Sequence, residues 1–588
     1  MRLIRGGVIT RYAAVFCVVW SVCRMEPSLA AAQSGGRANP ADRPSNPAAD
    51  DVARGLAALH LFEYEDANDA FRRAQNADRA LAMAFWGEAM TYDQILWRKE
   101  DPAAGRNALR RLGASRAARL DRAATPTETN LLDAADALFG EGDSASRHQK
   151  YAEAMARAHE QDPDNPDVAS LYALALLGTV SRSLIGYEDA HEGHVHGLAG
   201  SPVQSRVAAI LDRVLQTHPD HAGALHYLIH NYDDPDHAAQ GLAAARRLAA
   251  LAPDSSHARH MPAHVFLQLG MWREAAASDR AAFDQSTAWI ERRHFGPAVR
   301  NYHALSWLEY ELLQRGRYGD AWSTLGELEP VVKSTGQVPL LSTLSSMRAR
   351  FVVETRRWSL MANETNFANV NDLFAIGISA ARSGNDALAR RARDGLAARA
   401  QSASEGDLRP AIALMERELS ALIQLAGGYR DDAIQTLRAA SKTELDLPPP
   451  LGLPEPVKPA PELLGEVLVE SARPREAIEP FGQTLRRHPN RSLSLLGLAR
   501  AHAALGELDA SRRRYRELLA NFGEADGDLP ELAEARHALA PPAAPVSRYV
   551  RAAVALAVVA AALAVIVRRR KRPRAAARPA PRKKKTRR

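Results

Sequence analysis

A recurring beat of 34 residues constrains this chain more than any other feature. The segment LFEYEDANDAFRRA (residues 61–74) spaces Tyr64, Ala67, Phe71 and Ala74 by three, four and three. LGMWREAAASDRAA (269–282) repeats the spacing with Trp272, Ala275, Asp279 and Ala282, Asp279 standing where a large side chain is expected. RGRYGDAWSTLGEL (315–328) offers Tyr318, Ala321, Leu325 and Leu328. Residues 463–489 add the Leu464-Gly465 pair, Ala477, Phe481 and a closing Pro489, and Gly506, Ser511, Tyr515 and Leu518 continue one beat later. Such spacing gathers apolar side chains on one helix face. Small residues let paired helices approach, and Pro219, Pro253 and Pro489 end the second helix of a pair. A unit this short buries its apolar face only against neighbours, so the units must stack. No sustained period-two run interrupts the pattern, and no strands are expected.

The pattern resembles the tetratricopeptide repeat, a helix–turn–helix unit of this length, and the resemblance covers most of residues 51–525. The stretches 92–145, 180–203 and 330–408 fit the register poorly. The expected fold is all-α: a tetratricopeptide-like superhelix, or solenoid, over residues 51–540, after a Pro/Ser/Asn/Gly linker at 33–50. The resemblance implies that first helices line a concave groove, and that a protein or peptide partner binds there.

The two ends read differently from the body. Residues 1–32 join a basic start (Arg2, Arg5, Arg11), the apolar stretch YAAVFCVVWSV and the small residues Ala30–Ala32, the parts of a secretory signal peptide. Near the other end, AAVALAVVAAALAVIV (552–567) has no charge and no helix breaker. Lengthened by Tyr549, Val550 and the stem of Arg551, it is expected to be a transmembrane helix over 550–567. The tail at 568–588 is basic and carries no acid. The positive-inside rule puts this tail in the cytoplasm. The expectation is a single-pass cytoplasmic-membrane protein with its repeat domain on the periplasmic, extracytoplasmic side. The whole chain carries +7, yet residues 33–550 alone carry about −10, so the body offers nothing to a nucleic acid and none is expected as a partner. Both cysteines, Cys17 and Cys23, lie in the leader. Cleavage there removes disulfides, thiolate nucleophiles and cysteine-ligated metals from consideration.

Histidine is distributed unevenly. Thirteen of nineteen lie between His191 and His303. ALHYLIHNYDD (224–234) and ARHMPAHVFLQ (258–268) each carry His-x-x-x-His, one 34-residue beat apart. In the repeat register His226, His230, His260 and His264 therefore sit on consecutive first helices. Residues four apart share a face, and packed axes lie roughly 8–10 Å apart, so four imidazoles can point into one volume. Imidazole suits transition metals, zinc first among them here, over magnesium or calcium. His257, His303, Tyr310 and Tyr227 fall nearby as groove-lining residues. Asp233, Asp234 and Asp236 are available as carboxylate partners, and HEGHVH (191–196) adds three histidines on a loop. The competing reading is that these histidines satisfy neighbours, or backbone groups disturbed by Pro262, within helices. The stretch also resembles a subgroup of bacterial exported repeat proteins with HYxxH and HMPxH segments, an early HLFEYEDA-like unit and an AFWGEAM-like segment. That resemblance implies an architecture and no chemistry.

Other chemistry finds little support. GLAGSP (197–202) lacks the Lys-Ser/Thr ending of a phosphate loop, and no Gly-x-Ser-x-Gly elbow occurs. Glu416 and Glu418 do not share a helix face and read as solvated. Trp86, Trp97, Trp272 and Trp307 read as packing or groove walls. No catalytic residue and no oligomeric state is indicated. The first reading is a membrane-anchored scaffold that grips a protein or peptide and can also carry the histidine-lined metal site, with enzyme activity left open. The alternative is a metal-dependent (Zn/Cu/Fe) enzyme centred on His226, His230, His260 and His264.

Overall fold

The computed structural model describes residues 46–180, 198–367, 369–403, 409–540 and 548–570. The leader, HEGHVH and the tail from residue 571 lie outside the described residues. Helical hairpins follow one another from Pro47–His60 with Tyr64–Ala77 to Ser492–Ala504 with Leu508–Asn521. Each helix packs mainly on the next, as stacked two-helix units must. Second helices end at Thr217, Leu251 and Arg487, two residues before the three prolines that the repeat reading singled out. One small departure from all-helix is an antiparallel pair, Asp93–Gln94 with Lys99–Glu100, inside the stretch that fitted the register poorly.

The repeat has a visible physical basis. Phe71 is fully buried, and its ring lies against Gly55 of its own unit and Gly87 of the next. A Cβ on Gly87 would stand 2.1 Å from that ring. Far along the chain, Phe481 meets Gly465 and Gly497 in the same way, at 2.8 and 2.2 Å. An aromatic knob thus enters a notch made by glycines on two flanking first helices, which makes the superhelix a tetratricopeptide-like one.

First helices here are buried nearly all round. In Tyr302–Gln314 only His303 retains some exposure. A helix apolar on every side belongs in an interior, and successive turns of the superhelix supply that interior by touching. Trp289 Nε1 donates to Asp66 at 2.8 Å, Trp272 Nε1 donates to the Asn490 carbonyl at 3.0 Å, and Trp307 packs over Gly452. The chain itself therefore fills much of the hollow expected to be an open groove. Tyr227 and Tyr310 accordingly lie in the core: Tyr227 hydrogen-bonds His60, and the Tyr310 hydroxyl accepts from Arg491 at 2.9 Å. Glu418 is also buried rather than solvated, and burial holds its carboxyl well above the usual range.

The closing helix, Arg548–Arg570, corrects the membrane reading. Its uncharged run, 552–567, is sixteen residues. At 1.5 Å per residue that is about 24 Å, against about 30 Å of hydrocarbon core. Among the described residues no helix is long and apolar enough to cross a membrane. The single-pass anchor, the cytoplasmic-membrane localisation and the inside–outside arrangement built on it are thereby overturned. Tyr549, Val550 and the charged Arg551 do not make up that difference.

Candidate metal centre

Three consecutive first helices bring six histidines together. Ala222–Asn231 carries His226 and His230, Ser256–Gln268 carries His257, His260 and His264, and Tyr302–Gln314 carries His303. Ser255 caps the middle helix, its Oγ accepting from Ala258 N at 3.0 Å and donating to Glu63. Pro262 lies inside that helix without ending it.

The six imidazoles form two triads. In the first, His226 Nε2 lies 3.0 Å from His257 Nε2 and 3.1 Å from His230 Nε2. In the second, His260 Nε2 lies 3.1 Å from His303 Nε2, and the His260 and His264 ring centroids are 4.7 Å apart. Within each triad one ligand nitrogen per residue can be chosen so that all lie within 4.8 Å of one another. The triads adjoin, with the His230 and His264 centroids 6.2 Å apart. The structure thus divides the four histidines expected around a single ion into two pairs. It adds His257 and His303, expected only as lining, as third members.

The far ring nitrogens explain the convergence. His226 Nδ1 lies 2.7 Å from the His60 carbonyl, His260 Nδ1 lies 2.5 Å from Asp279, and His264 Nδ1 lies 2.7 Å from Asp233. Carbonyls and carboxylates accept, so each Nδ1 carries the proton and each Nε2 presents a lone pair to its triad. Outer carboxylates and carbonyls of this kind orient metal-ligating histidines. Two nitrogens about 2.0–2.1 Å from one tetrahedral ion stand about 3.3 Å apart. The Nε2 separations of 3.0 and 3.1 Å are close to that spacing. Burial lowers the His226 pKa to about 4, keeping its imidazole neutral, the form a metal requires. These Nδ1 partners also set aside the reading in which the histidines repair backbone disturbed by Pro262.

Aromatic walls enclose the triads. The Phe62 ring lies 4.4, 5.8 and 5.6 Å from those of His226, His230 and His257, and Trp307 lies 5.1, 4.6 and 5.1 Å from those of His260, His264 and His303. Phe62 holds φ at 59°, a left-handed conformation costly for a bulky residue. That turn ends the first helix, lays the ring over the triad and lies beside the His60 carbonyl that reaches His226. His226, His260 and His264 are buried, whereas His230, His257 and His303 are half-buried and form the accessible side.

Two further clusters have the composition of metal sites but different chemistry. Asp167 accepts from His60 Nε2 at 2.9 Å and His221 Nε2 at 3.1 Å. His60 Nδ1 meets the Tyr227 hydroxyl, and His221 Nδ1 accepts from Ala224 N. Every imidazole nitrogen there is satisfied, and the two histidines hold the Asp167 carboxyl well below its usual range. His148 pairs with Asp93 at 3.1 Å and gives its Nδ1 proton to the Ser144 carbonyl, which raises its pKa; Glu100 of that group is held by Arg147. Of the acids that follow the first histidine pair, Asp234 is hydrogen-bonded to His237 and Gln204, whereas Asp233 reaches a triad imidazole, that of His264.

Fold and site together define a class: a helical-repeat protein whose interior holds paired histidine triads. No known family profile matches the chain, and no curated protein matches it. Solved structures that resemble it are helical-repeat proteins. Yeast Tom70 is 10% identical, over 81% of this chain and 91% of its own, with a TM-score of 0.30. The Cut9–Hcn1 tetramer of the APC/C is 12% identical, over 84% and 96%, with a TM-score of 0.27. The human IFIT1 dimer with m7Gppp-AAAA is 13% identical, over 80% and 90%, with a TM-score of 0.34. Likeness at this level carries no argument about ligand or partner, and the fold assignment rests on the packing described above.

Proposed function

We propose that this chain is a metal-binding helical-repeat protein whose two histidine triads hold two transition-metal ions side by side. His226, His230 and His257 take one ion; His260, His264 and His303 take the other. The observation that carries the reading is the fixing of three Nδ1 protons by His60, Asp279 and Asp233, which turns lone pairs inward. Three nitrogen ligands leave a position open at each ion for water or a small ligand, the arrangement of a catalytic rather than a purely structural site. The half-buried His230, His257 and His303 put that position on the accessible side. The test is metal content of the full-length protein after loading with Zn²⁺ and removal of excess. Two ions per chain are expected, with loss of one in His226→Ala and of the other in His264→Ala. A protein that retains no ion and whose melting temperature ignores Zn²⁺ contradicts the reading.

A second reading, a scaffold for a protein partner, rests on a different surface from the filled groove. Trp322, Val299 and Val338 are more than half exposed and Leu341 is exposed, on elements that pack against one another. Exposed apolar side chains gathered on adjacent repeat units fit a docking face.

A further inference from the structure

We infer that a cavity beside the first triad binds a small primary amine with an apolar body, its ammonium group held by Glu63. The cavity lies between Pro47–His60 and the turn that joins Ala238–Leu251 to Ser256–Gln268. It is a site apart from the triads, and the inference stands whether or not they hold metal.

Shape is the first argument. The cavity measures about 310 Å³, room for about ten water-sized groups. Ala53, Ala57 and Ala58 form one side, and Ala252 and Pro253 the other. Ala53 and Ala57 are four apart and so share a helix face, where side chains this short leave space open. Leu61 and Ala252 are buried, whereas Ala53 and Pro253 are exposed, so the hollow runs inward from the surface. Such walls bury the hydrocarbon of a small ligand.

Glu63 is the second. It stands just before Tyr64–Ala77 and lines the cavity. Its Oε1 accepts from Ser255 Oγ and, at 3.5 Å, from His257 N. Both donors lie at the amino end of Ser256–Gln268, where a helix favours negative charge. Its Oε2 has no hydrogen-bond partner among the described residues. A carboxyl oxygen against apolar walls gains from a donor that a ligand brings. One oxygen on offer suits an ammonium rather than the two-pronged fork of a guanidinium.

Neighbouring charges are the third. Asp66 and Asp254 also line the cavity, with Arg54 as its one cation among the described residues. Arg54 Nη2 is bonded to Asp51 at 2.8 Å, and Asp66 accepts from Trp289 Nε1 and Arg293. Glu63 and Asp254 therefore meet no cation among the described residues. Acids on the wall favour a cation over an alcohol of the same shape and reject an anion. Ammonium entering beside either form of the Glu63 carboxyl ends as the same ammonium–carboxylate pair, the acid form releasing its proton to water.

The experiment titrates full-length protein by calorimetry, with and without a metal chelator. The ligands are phenethylamine and hexylamine, beside phenethyl alcohol and phenylacetate, which keep the ring and change the head. The expected result is one amine per chain, with the same affinity in both conditions, and binding of the alcohol and the anion weaker by about tenfold or more. Glu63→Gln keeps an oxygen for Ser255 and His257 but removes the charge. It should weaken amine binding by about 10–100-fold and leave the alcohol unchanged. Ala57→Leu fills the cavity without touching Glu63 and should abolish binding of every ligand; it serves if Glu63→Gln loses its helical circular dichroism. Equal binding of amine and alcohol, or amine binding that survives Ala57→Leu, overturns the inference. So does amine binding that the chelator removes, which would place the amine on a metal, and so does failure of both amines to bind.

Discussion

Asp279→Asn separates an architectural role of the second triad from a metal-holding one. The Asp279 carboxylate is inaccessible to solvent, accepts the His260 Nδ1 proton at 2.5 Å and lies near the buried Glu311, whose carboxyl is held well above the usual range by burial and the Asp279 charge. Asparagine preserves the accepting oxygen but removes the charge. A carboxylate behind a ligating imidazole contributes about 10–100-fold in metal affinity, or about 1.4–2.7 kcal/mol. In the metal-free protein the substitution relieves the crowding of two buried acids, Asp279 and Glu311. Metal-free stability should therefore hold or rise. At an ion concentration about 100 times the native Kd, binding stabilises by about 2.7 kcal/mol. The weakened site should supply only about 0.4–1.4 kcal/mol under the same conditions. Competition against a chromogenic chelator gives the two affinities, and thermal melts with and without metal give the linkage. The variant should lose affinity at one site and keep the other. Unchanged affinity at both sites, or a large loss of metal-free stability with metal binding intact, refutes the reasoning.

Other consequences follow from particular side chains. Burial raises the Glu444 pKa from 4.5 to about 7. Its contribution to stability is complete below about pH 4.5 and is lost as pH rises through about 7, so Glu444→Gln should gain on the native protein by up to about 3 kcal/mol on going from acid to about pH 8. Melting temperature against pH for both proteins checks this. Gly87→Ala places a Cβ 2.1 Å from the Phe71 ring and should cost about 1–3 kcal/mol in denaturant unfolding. Gly482→Ala, with nothing nearer than 3.6 Å, should be neutral or stabilising by up to about 1 kcal/mol. Asp167→Ala removes the acceptor shared by His60 and His221 and should lower the melting temperature while leaving the metal count unchanged.

The repeat was legible in the sequence because its packing is local. Phe71 and Phe481 recur at fixed distances from their glycines, so spacing alone reports the contact. The histidine pairs were legible for the same reason, one beat apart on neighbouring first helices. Their division into triads was not. It depends on which ring turns toward which helix, and for His226 on a carbonyl at His60, which closure of the superhelix brings alongside. Asp279 did leave a signal, an acid at a position the other units fill with a large side chain. Its use became visible only when His260 was found against it. His60 and Phe62 lay within the HLFEYEDA-like unit, but nothing in spacing assigns a backbone carbonyl or a left-handed turn to a site. The open groove failed because repeat register describes neighbours and is silent about contacts between turns, such as Trp272 with Asn490. The membrane span failed on length, a quantity that was countable from the start.

Anomalous diffraction from crystals of the metal-loaded protein tests the central claim most directly. The account predicts two peaks, one about 2.0–2.1 Å from Nε2 of each of His226, His230 and His257, the other at the same distance from His260, His264 and His303. A single peak, or ions bound elsewhere with the six rings turned onto one another, contradicts it.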